Sequence, residues 1–156
     1  MKGIFRTVSL AFAVLLSGMI PLAAAAEPGY QMSITGPKTA RTGQAVILSA
    51  RGVNPTNGYD VYFFSAITFD PKVVSTCPGG RNEAVNLAEQ TNSGSILASS
   101  LREQQDTGGR WSVVFGGKVS RVGRTLICGY THDGLGTALA TTSFWITAVA
   151  QNKKLG

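Results

Sequence analysis

Arg124-Thr125-Leu126-Ile127-Cys128-Gly129-Tyr130-Thr131-His132-Asp133-Gly134 is the stretch whose reading decides the fold. Residues 126–130 form a short apolar core, and β-branched Thr125, Ile127 and Thr131 lie in and around it. Asp133-Gly134 then closes the run with turn chemistry. Apolar run and stop signal together predict a buried β-strand. At its centre is Cys128, and the chain has 2 cysteines in all, the other being Cys77.

Outward from this strand the chain alternates and breaks repeatedly. On the C-terminal side, residues 137–149 read as a last strand, with Phe144, Ile146 and Ala148 alternating against Trp145 and Thr147. On the N-terminal side, Trp111, Val113 and Phe115 recur at period two, and Gly116-Gly117 is expected to turn the chain. Further back, residues 59–69 are rich in aromatic and β-branched side chains and read as a central strand buried at least partly on both faces. Asp70-Pro71 stops it, and residues 72–77 are read as a short resumption before Pro78-Gly79-Gly80. Residues 30–35 and 44–51 alternate as two earlier strands, separated by Gly36-Pro37 and a turn at Arg41-Thr42-Gly43. Residues 81–109 are the least structured part of the reading. They carry a faint helical spacing over 82–90, a short strand over 95–101 and a turn at Thr107-Gly108-Gly109, and are expected to act as a long polar connection. Seven to eight short strands with turns between them, at most one short helix and no internal repeat predict an all-β fold, a sandwich or a barrel.

The first 26 residues have another purpose. Lys2 and Arg6 give a positive start, residues 10–20 are almost entirely apolar, and Ala24-Ala25-Ala26 offers a small-residue cleavage site before Glu27. This is the layout of a secretory signal peptide. A transmembrane anchor is the alternative, but the apolar run is about a dozen residues against the roughly 20 a span requires. The expected organisation is therefore a signal peptide at 1–26, one domain over 27–150, a polar tail at 151–156, and a secreted or periplasmic product with no transmembrane span after cleavage. Removal of the signal leaves 130 of the 156 residues, enough for one domain with its own core. It also leaves 12 Lys and Arg against 8 Asp and Glu, a net charge of +4. The densest basic group is Lys118, Arg121 and Arg124, which suits an acidic polysaccharide or an envelope lipid; elsewhere the scattered charge serves solubility. No nucleic-acid module is present, and no nucleic-acid partner is expected.

For an exported chain, two isolated cysteines predict one disulfide, Cys77–Cys128. In the chain-entropy treatment, closing that loop stabilises the fold by about 4 kcal/mol. A free buried thiol pair and a redox site are the alternatives; a redox dithiol uses adjacent positions such as Cys-x-x-Cys, which these are not.

Three short motifs resemble those of small secreted bacterial proteins with an immunoglobulin-like sandwich: Cys77-Pro78 after the middle strands, Gly-x-x-x-x-Cys-x-Tyr at residues 123–130, and Gly136-Thr137-Ala138-Leu139-Ala140-Thr141 opening the last strand. The resemblance spans most of residues 30–149 and implies an immunoglobulin-like antiparallel β-sandwich outside the cytoplasm, with no defined activity. The chain departs from antibody domains in three ways. Trp111 lies too near Cys128, Tyr130 follows its cysteine instead of preceding it, and Cys77 does not fall on the second strand.

The residues of chemistry are sparse. His132 is the only histidine; it sits beside Asp133 and reads as a turn residue, with no Gly-x-Ser-x-Gly elbow to pair with it. Glu103 and Asp106 have the spacing of a carboxylate pair, but lie among Arg102, Gln104 and Gln105 as a solvated segment would. No zinc or calcium ligand pattern and no cofactor motif are found, so neither a metal nor a cofactor is expected. Pro78-Gly79-Gly80-Arg81 is a short turn that an anion can also occupy. The candidate binding residues are Tyr59, Tyr62, Arg81, Tyr130 and Trp145; the competing role for the aromatics is core packing. Loops at 52–58, 78–95 and 131–137 would supply variable surface. The reading favours a non-catalytic exported binding or structural module whose partner is a protein or glycan of the envelope or exterior. A secreted inhibitor or interaction factor presenting the 81–109 loop to an enzyme stands second. A hydrolase using His132 or the Glu103/Asp106 pair stands third.

Overall fold

The computed structural model of the chain describes residues 29–55 and 61–151. The expected signal segment, Tyr59, Asn57-Gly58 and residues 152–156 lie outside the described residues. Within them the order is β1 (Gln31–Thr35), β2 (Thr39–Arg41), β3 (Ala45–Val53), β4 (Phe63–Phe69), α1 (Arg81–Thr91), β5 (Gly94–Arg102), β6 (Arg110–Lys118), β7 (Gly123–His132) and β8 (Ala138–Val149). Two sheets face each other, one ordered β1-β3-β6 and the other β2-β8-β7-β4-β5. All pairs are antiparallel except β2 with β8, where Thr39, Ala40 and Arg41 run parallel to Thr147, Ala148 and Val149.

The space between the sheets holds the main core, in which Phe64 meets Trp111 (6.0 Å between ring centroids) and Phe115 (5.0 Å). Leu48, Ile127 and Ile146 fill in around them. A second core lies on the opposite face of the five-stranded sheet. There Ile67, Phe69, Leu126, Cys128 and Tyr130 are covered by Ala84 and Ala88 of α1 and by Val74. β7 is therefore buried on both faces, from Leu126 through His132. This is why its sequence reads as a continuous apolar run and not as an alternation. Cys128 is bonded to Cys77 across this second core, with the Cα atoms 5.5 Å apart. Tyr130 donates its hydroxyl to the Pro78 carbonyl (3.1 Å), tying the same segment down a second time.

Four sequence expectations change. Residues 72–77 are not a strand: the Asp70 carbonyl accepts from the amides of Val73 (3.0 Å) and Val74 (2.9 Å), and its side chain accepts from Lys72 N (2.9 Å), which winds the segment into turns. β2 falls where only a break was read, because three residues are too few to show a period. Gly116 and Gly117 do not turn the chain but continue β6 to Lys118. A Cβ on Gly116 would strike the Val46 carbonyl, and one on Gly117 would strike Leu97, so glycine here permits close approach. Residues 81–109 carry the helix, strand and turn expected there, as α1, β5 and a turn at 106–109, but α1 and β5 pack on the five-stranded sheet and do not form a long open connection. α1 buries only two alanines, so its amphipathic signal is weak although its packing is intimate.

Candidate functional site

The two ends of the sandwich differ in chemistry. At one end β3, β4 and β7 finish or begin beside the start of β6, and buried polar groups close the gap. Trp111 Nε1 donates to Asn54 Oδ1 (3.0 Å), and Asn54 Nδ2 donates to Glu103 Oε2 (2.7 Å). Glu103 is 4% exposed, and its Oε1 is buried with no hydrogen-bond partner. The neighbouring Thr131 hydroxyl is directed at the Met32 sulfur (3.4 Å). Burial pushes the Glu103 carboxyl up to about 7, against the lowering influence of Asn54 and Thr131. Asp106 takes no part in this: it lies exposed in the following turn, accepting from the amides of Gly108 (2.8 Å) and Arg110 (2.9 Å), and those bonds lower its pKa. Glu103 and Asp106 are thus not a carboxylate pair, and Glu103 is not solvated.

His132 is likewise not a turn residue. It ends β7, 3% exposed, stacked on Phe63 with centroids 5.9 Å apart. Its Nδ1 is 2.6 Å from the Asp133 carbonyl, which only accepts, so Nδ1 carries the hydrogen and Nε2 accepts from Ser65 Oγ at 2.9 Å. Ser65 Oγ in turn accepts from Ser100 N (3.0 Å). Desolvation is the main cause of a lowered His132 pKa, in keeping with a neutral ring. A serine hydroxyl held against an imidazole is the arrangement of a nucleophile and its base. Here, however, Ser65 is only 1% exposed and every polar atom of the pair is already bonded. Ser65 escaped the sequence reading. A single hydroxyl inside the apolar run of β4 was the available signal that a buried partner existed.

The described binding candidates Tyr62, Tyr130 and Trp145 do not share a surface. Tyr130 is buried on β7 between two layers, and Tyr62, just before β4, is buried with its hydroxyl 3.0 Å from that of Tyr30. Trp145 is half-buried, with the Arg124 guanidinium 4.2 Å above its ring. Arg81 opens α1, with Nη1 on Asn82 Oδ1 (2.9 Å) and its Nε buried without a partner. Among the described residues no group of three or more His, Cys, Asp or Glu is placed to hold a metal.

The other end of the sandwich is open. A cleft of about 470 Å³ lies where β4 leaves its sheet and the 119–122 connection joins β6 to β7. Val46, Ile127 and Ile146 form its floor, and Lys72, Lys118, Arg121 and Arg124 line it, with Asp70 as its acid. The three basic residues grouped in the sequence are brought together here. Lys72, from the turn after β4, joins them through the fold alone.

No protein family and no curated protein matches the sequence. Among solved structures, the chain is similar to the CARDB domain of a Pyrococcus furiosus protein in complex with di-metal ions. The TM-score is 0.50 at 9% identity, over 80% of this chain and 93% of that one. It also resembles part of a β-glucosidase from Listeria innocua, solved in complex with isofagomine: TM-score 0.48, 10% identity, 78% of this chain but only 16% of the enzyme. Likeness at such identity concerns the fold. The two facing sheets and the CARDB comparison define an immunoglobulin-like all-β sandwich with one disulfide.

Proposed function

We propose that this protein is an exported, non-catalytic binding module, cleaved after Ala26, whose partner lies in the cell envelope or outside the cell. The observation that carries the reading is a division of labour between buried and accessible groups. Ser65, His132 and Glu103, the side chains suited to covalent or acid–base work, are all sealed within the body. The open cleft presents cations and an apolar floor instead. A catalytic reading needs a nucleophile and a base that a substrate can reach. A binding reading needs a rigid scaffold and an accessible concave surface, and 470 Å³ falls in the usual range of roughly 300–1,000 Å³ for ligand pockets. A disulfide suits an oxidising compartment, which supports export. Among the described residues no helix is long and apolar enough to cross a membrane.

The test joins location and turnover. The protein recovered from outside the cytoplasm should have the intact mass of a chain beginning at Glu27. It should also leave a panel of ester and glycoside substrates unhydrolysed. Turnover that Ser65→Ala abolishes in a still-folded protein would replace this reading with a hydrolase.

A further inference from the structure

We propose that the open cleft holds a short segment of an acidic carbohydrate, a hydroxyl-rich chain carrying carboxylate or phosphate groups. The proposal rests on the binding-module reading and names its site and ligand class. Charge is the first reason. Lys72, Lys118, Arg121 and Arg124 line the cleft against the single acid Asp70. Asp70 does little to neutralise them. One of its carboxylate oxygens accepts from Lys72 N (2.9 Å), and the other takes a single Arg121 Nη1 contact at 3.3 Å. That contact is the one ion pair among the described residues, and Arg121 remains 62% exposed. An exposed pair of this kind is worth little, so it orients the guanidinium more than it occupies it. The remaining Arg121 donors are available for the forked contact that guanidinium makes with an oxyanion. Arg124 borders the cleft, but its guanidinium lies over Trp145 on the helix-covered face of the sheet, so Lys72, Lys118 and Arg121 supply the charge that faces the cleft.

Shape and wall chemistry select the kind of anion. The cations line a concavity, and a planar bilayer cannot enter one. Among the residues that line the cleft, Val122 at 65% is the one exposed large apolar side chain, which is not the apolar band that lies in a membrane interface. Single-stranded nucleic acid needs accessible aromatic faces to stack on. The aromatic in this cleft, Phe69, is 1% exposed. The walls carry hydroxyls instead. Thr68 and Ser95 are bonded to each other at 2.8 Å, with Ser120 on the opposite connection, and such groups exchange hydrogen bonds with sugar hydroxyls.

The experiment measures binding of the full exported chain to trigalacturonate, to a mannose trisaccharide bearing a phosphate, to galactotriose as the uncharged control, and to phosphatidylglycerol vesicles. Two variants of equal charge loss are compared: Lys118→Gln with Arg121→Gln at the cleft, and Arg51→Gln with Arg110→Gln on the three-stranded sheet. At least one acidic sugar should bind, weaken with rising salt, and lose roughly tenfold or more in affinity in the cleft variant only. Which of the two acidic sugars binds tells carboxylate from phosphate. Binding of neither, equal loss in both variants, or preference for vesicles overturns the proposal. None of these outcomes touches the non-catalytic reading, which fails only on turnover.

Discussion

The two ends of this sandwich have the same architectural problem, the gap left where paired sheets diverge, and answer it in opposite ways. Near Trp111 the gap is filled by an indole, an amide and a carboxyl bonded in series. Near Lys118 it stays open as a cleft with a charged rim. The filled end converts polar side chains into internal structure, so substitutions there should appear as changes in stability and its pH dependence. The open end keeps its polar side chains in water, so substitutions there should leave stability nearly untouched and appear in binding.

The largest effect that would break this contrast is at Trp111. Trp111→Ala removes an indole packed on Phe64 and leaves Asn54 Oδ1 without its donor. It should destabilise the protein by about 3–5 kcal/mol, read from the denaturant midpoint. A loss below about 1 kcal/mol would mean that the end is not closed by this chain of bonds.

A finer test uses pH. Glu103 has a folded pKa raised to about 7 from an ordinary value of 4.5. The folded state then holds the proton more tightly than the unfolded state, and stability declines as pH rises from 4.5 to about 7. The full cost, on the order of 3 kcal/mol, is present above that range. His132 acts in the opposite sense, since its lowered pKa makes the fold lose stability as pH falls below 6.5. Glu103→Gln separates the two. It should raise the melting temperature at pH 8, leave it nearly unchanged at pH 4, and retain the His132 slope. A variant that gains equally at both pH values would place the benefit in packing and not in ionisation.

The smallest expected effect sharpens the contrast from the other side. Lys118→Gln at the open rim should alter stability by less than about 0.5 kcal/mol in a thermal or denaturant melt.

What the sequence disclosed follows the range over which each signal acts. β4 and β7 were legible because burial on both faces leaves a local apolar run, and the disulfide was legible because an isolated cysteine pair in a chain expected to be exported has few other uses. Lys118, Arg121 and Arg124 were visible as a group because they are close in sequence. Lys72 was not, since only the turn after β4 carries it to them. Glu103 looked solvated among Arg102, Gln104 and Gln105; its burial is imposed by Asn54, just past β3, and Thr131 of β7, both distant in sequence. Gly116-Gly117 has the composition of a turn, and only the proximity of Val46 and Leu97 shows that the pair serves close packing.

The Cys77–Cys128 bond also shapes how the molecule would bear a mechanical load. Tension applied at the chain ends would cross directly from the segment after β4 to the middle of β7. The 50 residues between the two cysteines, 128 − 77 − 1, which contain α1, β5 and β6, would then carry none of the force in series. Even with every strand pulled apart, that stretch could not lengthen, which withholds roughly 170 Å of contour. Reduction of the bond would release it, so the extension at rupture of a single molecule would report the oxidation state of its surroundings.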